Sequence, residues 1–161
     1  MSPDPVPEGI HPVGIIGGGV AGLACARVIH EAIGLLPTIW DKGRYPGGRM
    51  ATRTLTPEAM LDYGAQHLAV LPGIPTTALA SWFDDPEGRT RYKPVPSFRA
   101  LAQLLAQGLP LHTECRVATI RRQAGYWLLT FEDGHTESVH RLVVTVPVPQ
   151  VLPLFETPEA V

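Results

Sequence analysis

Gly17-Gly18-Gly19-Val20-Ala21-Gly22 is the stretch that decides the fold, and Asp41 follows its last glycine by nineteen residues. The spacing is that of G-x-G-x-x-G with a later acidic residue, the sequence form of a dinucleotide-binding βαβ unit. Residues 13–16 ahead of it are uncharged and read as a short strand. Residues 23–33 read as a helix, and residues 38–40 as a second strand ending at Asp41. Gly17 lets the chain turn sharply out of the first strand, Gly19 lets backbone approach a pyrophosphate, and Gly22 lets helix and strand pack closely. The helix then opens at the phosphates, where unpaired N–H groups and the dipole favour an anion by roughly 0.3–2 kcal/mol. Asp41 would accept hydrogen bonds from ribose hydroxyls, and its charge disfavours a 2′-phosphate, so FAD or NAD is expected before NADP. A glycine-rich turn in some other α/β domain is the alternative.

The 161 residues suffice for one domain with a sizeable core, and 45% hydrophobic against 17% charged residues suits a globular chain. A net charge of −2 makes no bulk electrostatic case for nucleic acid or an anionic membrane. Cys25 and Cys115 form no C-x-x-C pair and read as small buried residues of a reducing compartment. Residues 13–26 carry no charge and contain Gly14, Gly18 and Gly22 at small-residue spacing, as a membrane helix does. The run falls short of a span of about 20 residues, holds three consecutive glycines and follows Pro12. The acidic, proline-rich start Met1-Ser2-Pro3-Asp4-Pro5 lacks the basic region of a signal peptide, so a cytoplasmic location is expected.

The fold class expected is α/β: a Rossmann-like FAD/NAD(P)-binding domain over residues 12–161, with a parallel sheet and a β-meander, lacking most of a substrate domain and preceded by a flexible lead over residues 1–11. Gly34 is the expected cap of the first helix, and residues 42–71 read as loop-rich, with a turn over 62–68 leading into a strand. Five prolines interrupt residues 72–96, leaving a short helix around 78–83. Ser97 is the N-cap of a second helix with Phe98, Leu101, Leu104 and Leu105 facing the core, and Gly108 ends it. Strands are expected over 111–117, 117–123, 126–131 and 135–140, with turns at Ala124-Gly125 and Asp133-Gly134. Residues 142–146 form a continuous apolar run, as in a strand buried on both faces, and Pro149 opens a short helix through residue 155.

A second motif, Arg44-Tyr45-Pro46-Gly47-Gly48-Arg49-Met50, follows Asp41 almost at once. Paired glycines let a loop run against a bulky ligand, and the multi-donor head of Arg49 suits a pyrophosphate oxygen. Together with Trp40-Asp41-Lys42 and Asp62-Tyr63-Gly64-Ala65-Gln66, this loop resembles renalase-type flavoproteins within the wider amine-oxidase-like FAD superfamily. Residues 91–97 and 143–150 resemble that family's later landmarks more loosely.

The resemblance implies FAD as cofactor. Gly17, Gly19, Ala21 and Gly22 would then meet the pyrophosphate, Asp41 the adenosine ribose, and Gly48, Arg49 and Met50 the phosphates and flavin side. Gly64, Ala65 and Gln66 would run beside the isoalloxazine, and the backbone of Val117 would meet the adenine edge. It also implies an oxidoreductase whose flavin takes a hydride from a reduced nicotinamide-type or amine substrate, with oxygen as acceptor and no catalytic side chain named. The family is longer than this chain, and its second half supplies most of the substrate domain and a late Gly-Asp element. Substrate capture is therefore expected to need more than these residues, and an open sheet edge would invite a second polypeptide or self-association. The alternatives are a truncated non-catalytic relative that binds a nucleotide or a partner, a subunit of a split flavoenzyme, and a plain NAD-binding domain. No histidine makes a metal spacing, and His67 reads as structural or solvated, beside the flavin-side turn.

Overall fold

A computed structural model describes residues 9–56, 59–69 and 76–155. Of the lead expected over residues 1–11, residues 1–8 lie outside the described residues, and His11 already belongs to the first strand.

Among the described residues a six-stranded sheet carries the fold, in the order β7-β2-β1-β10-β9-β8. These strands are β1 (His11–Ile16), β2 (Thr38–Trp40), β7 (Leu111–His112), β8 (Val117–Gln123), β9 (Tyr126–Phe131) and β10 (Thr136–Val144). The pairs β2–β7, β1–β2 and β1–β10 are parallel, and β10–β9 and β9–β8 are antiparallel. Helix α1 (Val20–Ile33) makes the first crossover, and α2 (Phe98–Ala106) precedes β7. Two hairpins stand apart from the sheet, β3 (Thr52–Thr56) with β4 (Ala59–Asp62) and β5 (Leu79–Asp84) with β6 (Thr90–Pro94).

Strand alternation divides the interior into two cores. Val13 and Ile15 of β1 face α1 and α2 and pack with Leu23, Ala26, Ile39, Phe98, Leu101 and Leu105. Ile16 faces the other way and joins Trp40, Val117, Ile120, Leu129, Phe131 and Val139 beneath the meander. Gly14 is small by necessity, since a Cβ there would lie 2.6 Å from Val139 and 2.8 Å from the Trp40 ring. The two helices are locked together by Arg27 of α1, whose guanidinium donates to the carbonyls of Leu104, Leu105 and Gln107 at the end of α2. Those are carbonyls a helix leaves without intrahelical partners.

Both caps read from sequence are formed. Gly34 adopts a φ of 71° and its N–H donates to the His30 carbonyl, and the Ser97 hydroxyl accepts from the Ala100 N–H. The short helix after Pro149 is present as α3 (Val148–Val151), continued by a 3-10 turn over Leu152–Leu154.

Several expectations need correction. Leu104, expected to face the core, is 38% exposed, because the buried stripe of α2 runs through Phe98, Leu101, Ala102 and Leu105. Of residues 78–83 only Ala78 is helical, at the end of a 3-10 turn over Thr76–Ala78, and Leu79–Asp84 is β5, because a partner strand at 90–94 satisfies its backbone where a lone helical turn would leave it open. The loop-rich stretch 42–71 contains the β3–β4 hairpin; Leu68 bridges Tyr92, and residues 70–75, where the strand expected after the 62–68 turn would continue, lie outside the described residues. The strand expected over 111–117 stops at His112, since Glu114 takes a φ of 57° and the chain bends there before β8. Residues 135–140 and 142–146 are not two strands but one: β10 pairs with β9 as far as Val139 and with β1 from His11↔Val139 to Ile16↔Val144. Leu142, Val143 and Val144 are half-buried rather than covered on both faces, because the β9 register ends before them.

The β5–β6 turn is organised by one carboxylate. Asp85 accepts from the N–H groups of Glu87 and Arg89 and from the guanidinium groups of Arg89 and Arg91. The Arg89 N–H, with both guanidinium groups adding to it, holds the Asp85 carboxyl well below the usual carboxylate range.

Two outcomes test this architecture. A Cβ at position 22 would lie 1.9 Å from the Gly17 carbonyl oxygen, so Gly22→Ala is expected to lower stability by about 3 kcal/mol or more, read as a fall in the denaturant midpoint. Because the folded-state pKa of Asp85 is depressed, the order it lends the β5–β6 turn is complete above the unfolded carboxylate pKa of about 3.9 and is lost as pH falls below it. The protection factors of the Glu87 and Arg89 amides, referred to the intrinsic exchange rate at each pH, should therefore fall on acidification, and Asp85→Asn should remove most of that pH dependence.

Candidate functional site

The crossover from β1 to α1 is built without side chains. Gly17 takes a φ of 108°, a left-handed value that favours glycine, and its N–H donates to the Trp40 carbonyl at 2.8 Å. A side chain at Gly17 would meet the Thr145 hydroxyl at 2.6 Å, and that hydroxyl donates toward the Ile16 and Gly17 carbonyls. Gly19 is the N-cap of α1, and a Cβ there would meet nothing within 4 Å. The first turn of α1 contains no acidic residue and Gly19 offers no side-chain cap, so the positive end of the helix is not neutralised from within. Ala21 is exposed on that turn.

Asp41 stands beside this turn, at the end of β2. One carboxylate oxygen accepts the Gly18 N–H at 2.5 Å and the other accepts the Gly43 N–H at 2.6 Å. Each carboxylate oxygen has further acceptor capacity. The carboxylate thus fixes the turn it would share with a ribose.

The Gly47-Gly48-Arg49 loop rests directly on the same turn. The Gly47 N–H donates to the Gly18 carbonyl at 2.8 Å, Gly47 and Gly19 form a parallel bridge, and a Cβ on Gly48 would lie 3.3 Å from the Gly19 Cα. Gly64 closes the next layer. A Cβ there would lie 2.1 Å from the Arg49 carbonyl oxygen, which accepts the Ala65 N–H at 3.0 Å. Gly17, Gly19, Gly22, Asp41, Gly48, Arg49, Gly64 and Ala65 are therefore joined in one contiguous set.

The remaining candidates lie at different depths. Met50 is buried in the first core, so its side chain serves packing, while its N–H donates to the Gly47 carbonyl. Gln66 is exposed, and its amide donates to the Asp62 carbonyl at 3.0 Å. Arg49 and Gly64 are exposed as well. Val117 begins β8 with a buried side chain, opposite Phe131, in the second core. His67 packs edge-on to Phe83 and beside Trp82.

Sequence reading passed over Gly18 and Gly47, which carry the hydrogen bonds between the layers, and Thr145, a hydroxyl ending an apolar run. It also passed over Asp62. That carboxylate accepts the Thr52 hydroxyl and the Phe98 N–H, while the Thr52 hydroxyl accepts the Arg99 N–H, so the β3–β4 hairpin caps α2. A polar residue at the end of an apolar strand was the available signal for Thr145; nothing local marks Asp62.

Other chemistry has no comparable assembly. Among the described residues no group of three or more His, Cys, Asp or Glu side chains could hold a metal ion. Burial, with Asp133 and Glu114 adding to it, pushes the Cys115 thiol up, away from a reactive thiolate. Among the described residues no helix is long and apolar enough to cross a membrane.

The family comparisons match this division of the chain. Residues 15–83 match an NAD(P)-binding Rossmann-like domain, and residues 76–160 match the flavin containing amine oxidoreductase family. The chain belongs to the flavin containing amine oxidoreductases. Mouse (Mus musculus) renalase is 26% identical over 164 residues, a match covering 87% of this chain and 48% of renalase, so the chain spans about half the length of that relative. Among solved structures, a fatty acid isomerase from P. acnes that produces CLA superposes with a TM-score of 0.72 at 13% identity, over 96% of this chain and 63% of the isomerase. A mutant flavin monooxygenase from Stenotrophomonas maltophilia superposes with a TM-score of 0.56 at 22% identity, over 83% and 37%. At those identities the two structures establish the fold alone.

The cofactor of this oxidoreductase family is FAD, and the residues present fit its dinucleotide part: an uncapped helix start, open space over Gly19 and a carboxylate beside them. Because a Cβ at position 19 meets nothing and Gly19 has a φ of −72°, Gly19→Ala is expected to leave the unfolding midpoint within experimental error. It should nonetheless weaken FAD binding about tenfold or more, measured by equilibrium titration, by filling the space a pyrophosphate needs.

Proposed function

We propose that residues 12–161 act as the cofactor-binding domain of a renalase-like oxidoreductase. The bound flavin supplies hydride acceptance from a reduced nicotinamide-type or amine donor, with oxygen as the final acceptor. The observation that supports this reading is the Asp41 carboxylate holding the Gly18 N–H at 2.5 Å, a negative charge on the glycine turn itself. Gly17, Gly19, Ala21 and Gly22 take the pyrophosphate at the start of α1, and the spare acceptor sites of Asp41 take the ribose hydroxyls. Gly48 and Arg49 flank the phosphates, with Met50 anchoring their loop in the core. Gly64, Ala65 and Gln66 line the flavin side, and the Val117 backbone meets the adenine. A cytoplasmic location belongs to the same reading.

A second reading, a chain that binds FAD but turns over only with another polypeptide, is favoured by the exposure of Arg49, Gly64 and Gln66. A flavin ring resting there has protein on one side among the described residues.

Absorption spectroscopy of the purified chain, followed by FAD titration, separates these readings. A bound flavin that bleaches with a reduced nicotinamide nucleotide or an amine supports the first. A flavin that binds and never bleaches supports the second, and a chain that retains NAD but ignores FAD overturns both. Asp41→Ala is expected to weaken FAD binding by about 2 kcal/mol, roughly 30-fold in Kd. An unchanged Kd would remove the ribose role.

A further inference from the structure

A cavity of about 780 Å³ opens beside the β3–β4 hairpin, lined by Tyr45, Arg53, Leu61, Tyr63 and Arg99 together with two threonines, and among the described residues by no carboxylate. A smaller cavity of about 190 Å³ shares Tyr45, Thr52, Tyr63 and Arg99 with it and continues to Gly48 and Met50. The space therefore reaches the loop that rests on the glycine turn. In a chain with a net charge of −2, the charged groups that line this space among the described residues are both arginines.

The Arg99 guanidinium is held in place. It stacks over the Tyr45 ring at 4.6 Å and donates to the Thr52 carbonyl and the Thr54 hydroxyl. Arg44 lies over the same ring at 5.5 Å. Arg53 has no hydrogen bond or ion pair among the described residues, so its fork is available to an incoming group. Tyr45 and Tyr63 are 46% and 65% exposed, which leaves ring surface for stacking.

We propose that this cavity binds a planar organic ring carrying an oxyanion, with Arg53 and Arg99 on the oxyanion and Tyr45 and Tyr63 beside the ring. As a subsite for the hydride donor it rests on the oxidoreductase reading above, and it selects an anionic donor over a protonated amine, which the two arginines repel. As a binding site it stands independently of that reading.

Isothermal titration of the full chain with phenyl phosphate, benzoate, benzylamine and inorganic phosphate tests it, with FAD affinity measured in parallel. Phenyl phosphate and benzoate should bind, benzylamine should not, and inorganic phosphate should bind more weakly than phenyl phosphate. Arg53→Gln should weaken phenyl phosphate about tenfold and Tyr63→Leu should weaken it measurably, both with FAD affinity within twofold of the parent chain. Both side chains are exposed, so both variants keep the fold. Benzylamine binding as well as phenyl phosphate, inorganic phosphate binding as well as phenyl phosphate, no binding of either aryl anion, or indifference to Arg53→Gln each overturns the proposal. Loss of FAD binding in the parent chain strikes the oxidoreductase reading and leaves the cavity result standing.

Discussion

Helix α1 can leave strand β1 only because position 22 has no side chain: the Gly17 carbonyl oxygen occupies the place where a Cβ would be. That contact fixes the angle of the crossover, and three further layers are laid on it. Thr145 closes over Gly17 from the end of β10, Asp41 reaches the Gly18 N–H from the end of β2, and Gly47 donates to the Gly18 carbonyl from the loop beyond. The strands bring their C-terminal ends to one place, as parallel α/β sheets do, and the ligand crevice follows. Backbone packing and the proposed cofactor site thus rest on the same few atoms.

Much of this was legible in the sequence because the constraints are local. The glycine spacing, the acidic residue after β2, the Ser97 and Gly34 caps and the Asp133-Gly134 turn each rest on the preferences of a few adjacent residues. What escaped was decided at a distance. Residues 79–84 carry no strong period of their own and became a strand because 90–94 pair with them. β10 runs through the point where two separate strands were expected, since Val139 answers both Trp127 of β9 and His11 of β1. Asp62 serves a helix start 36 residues later, and no pattern in its own neighbourhood announces that.

The candidate site is uneven in a way that follows from its parts. The proposed dinucleotide side is made of backbone that is already hydrogen-bonded into position, so binding there would need little reordering. The proposed flavin side, around Arg49, Gly64 and Gln66, is exposed. This asymmetry accords with a chain that covers 48% of mouse renalase. It also places the arginine-lined cavity on the flank where a donor would approach.

Trp40 gives the molecule a built-in gauge of this arrangement. Its indole is 2% exposed, set among His11, His112 and Phe131, while its own carbonyl accepts the Gly17 N–H and the next residue is Asp41. Trp82 is half in water on the outlying hairpin. Of the three indoles, with Trp127 half-buried on β9, Trp40 and Trp82 therefore emit from the most different surroundings, the buried one to the blue of the exposed one. Energy transfer from the buried indole would follow a chromophore settling on the turn a few atoms away, with no label attached.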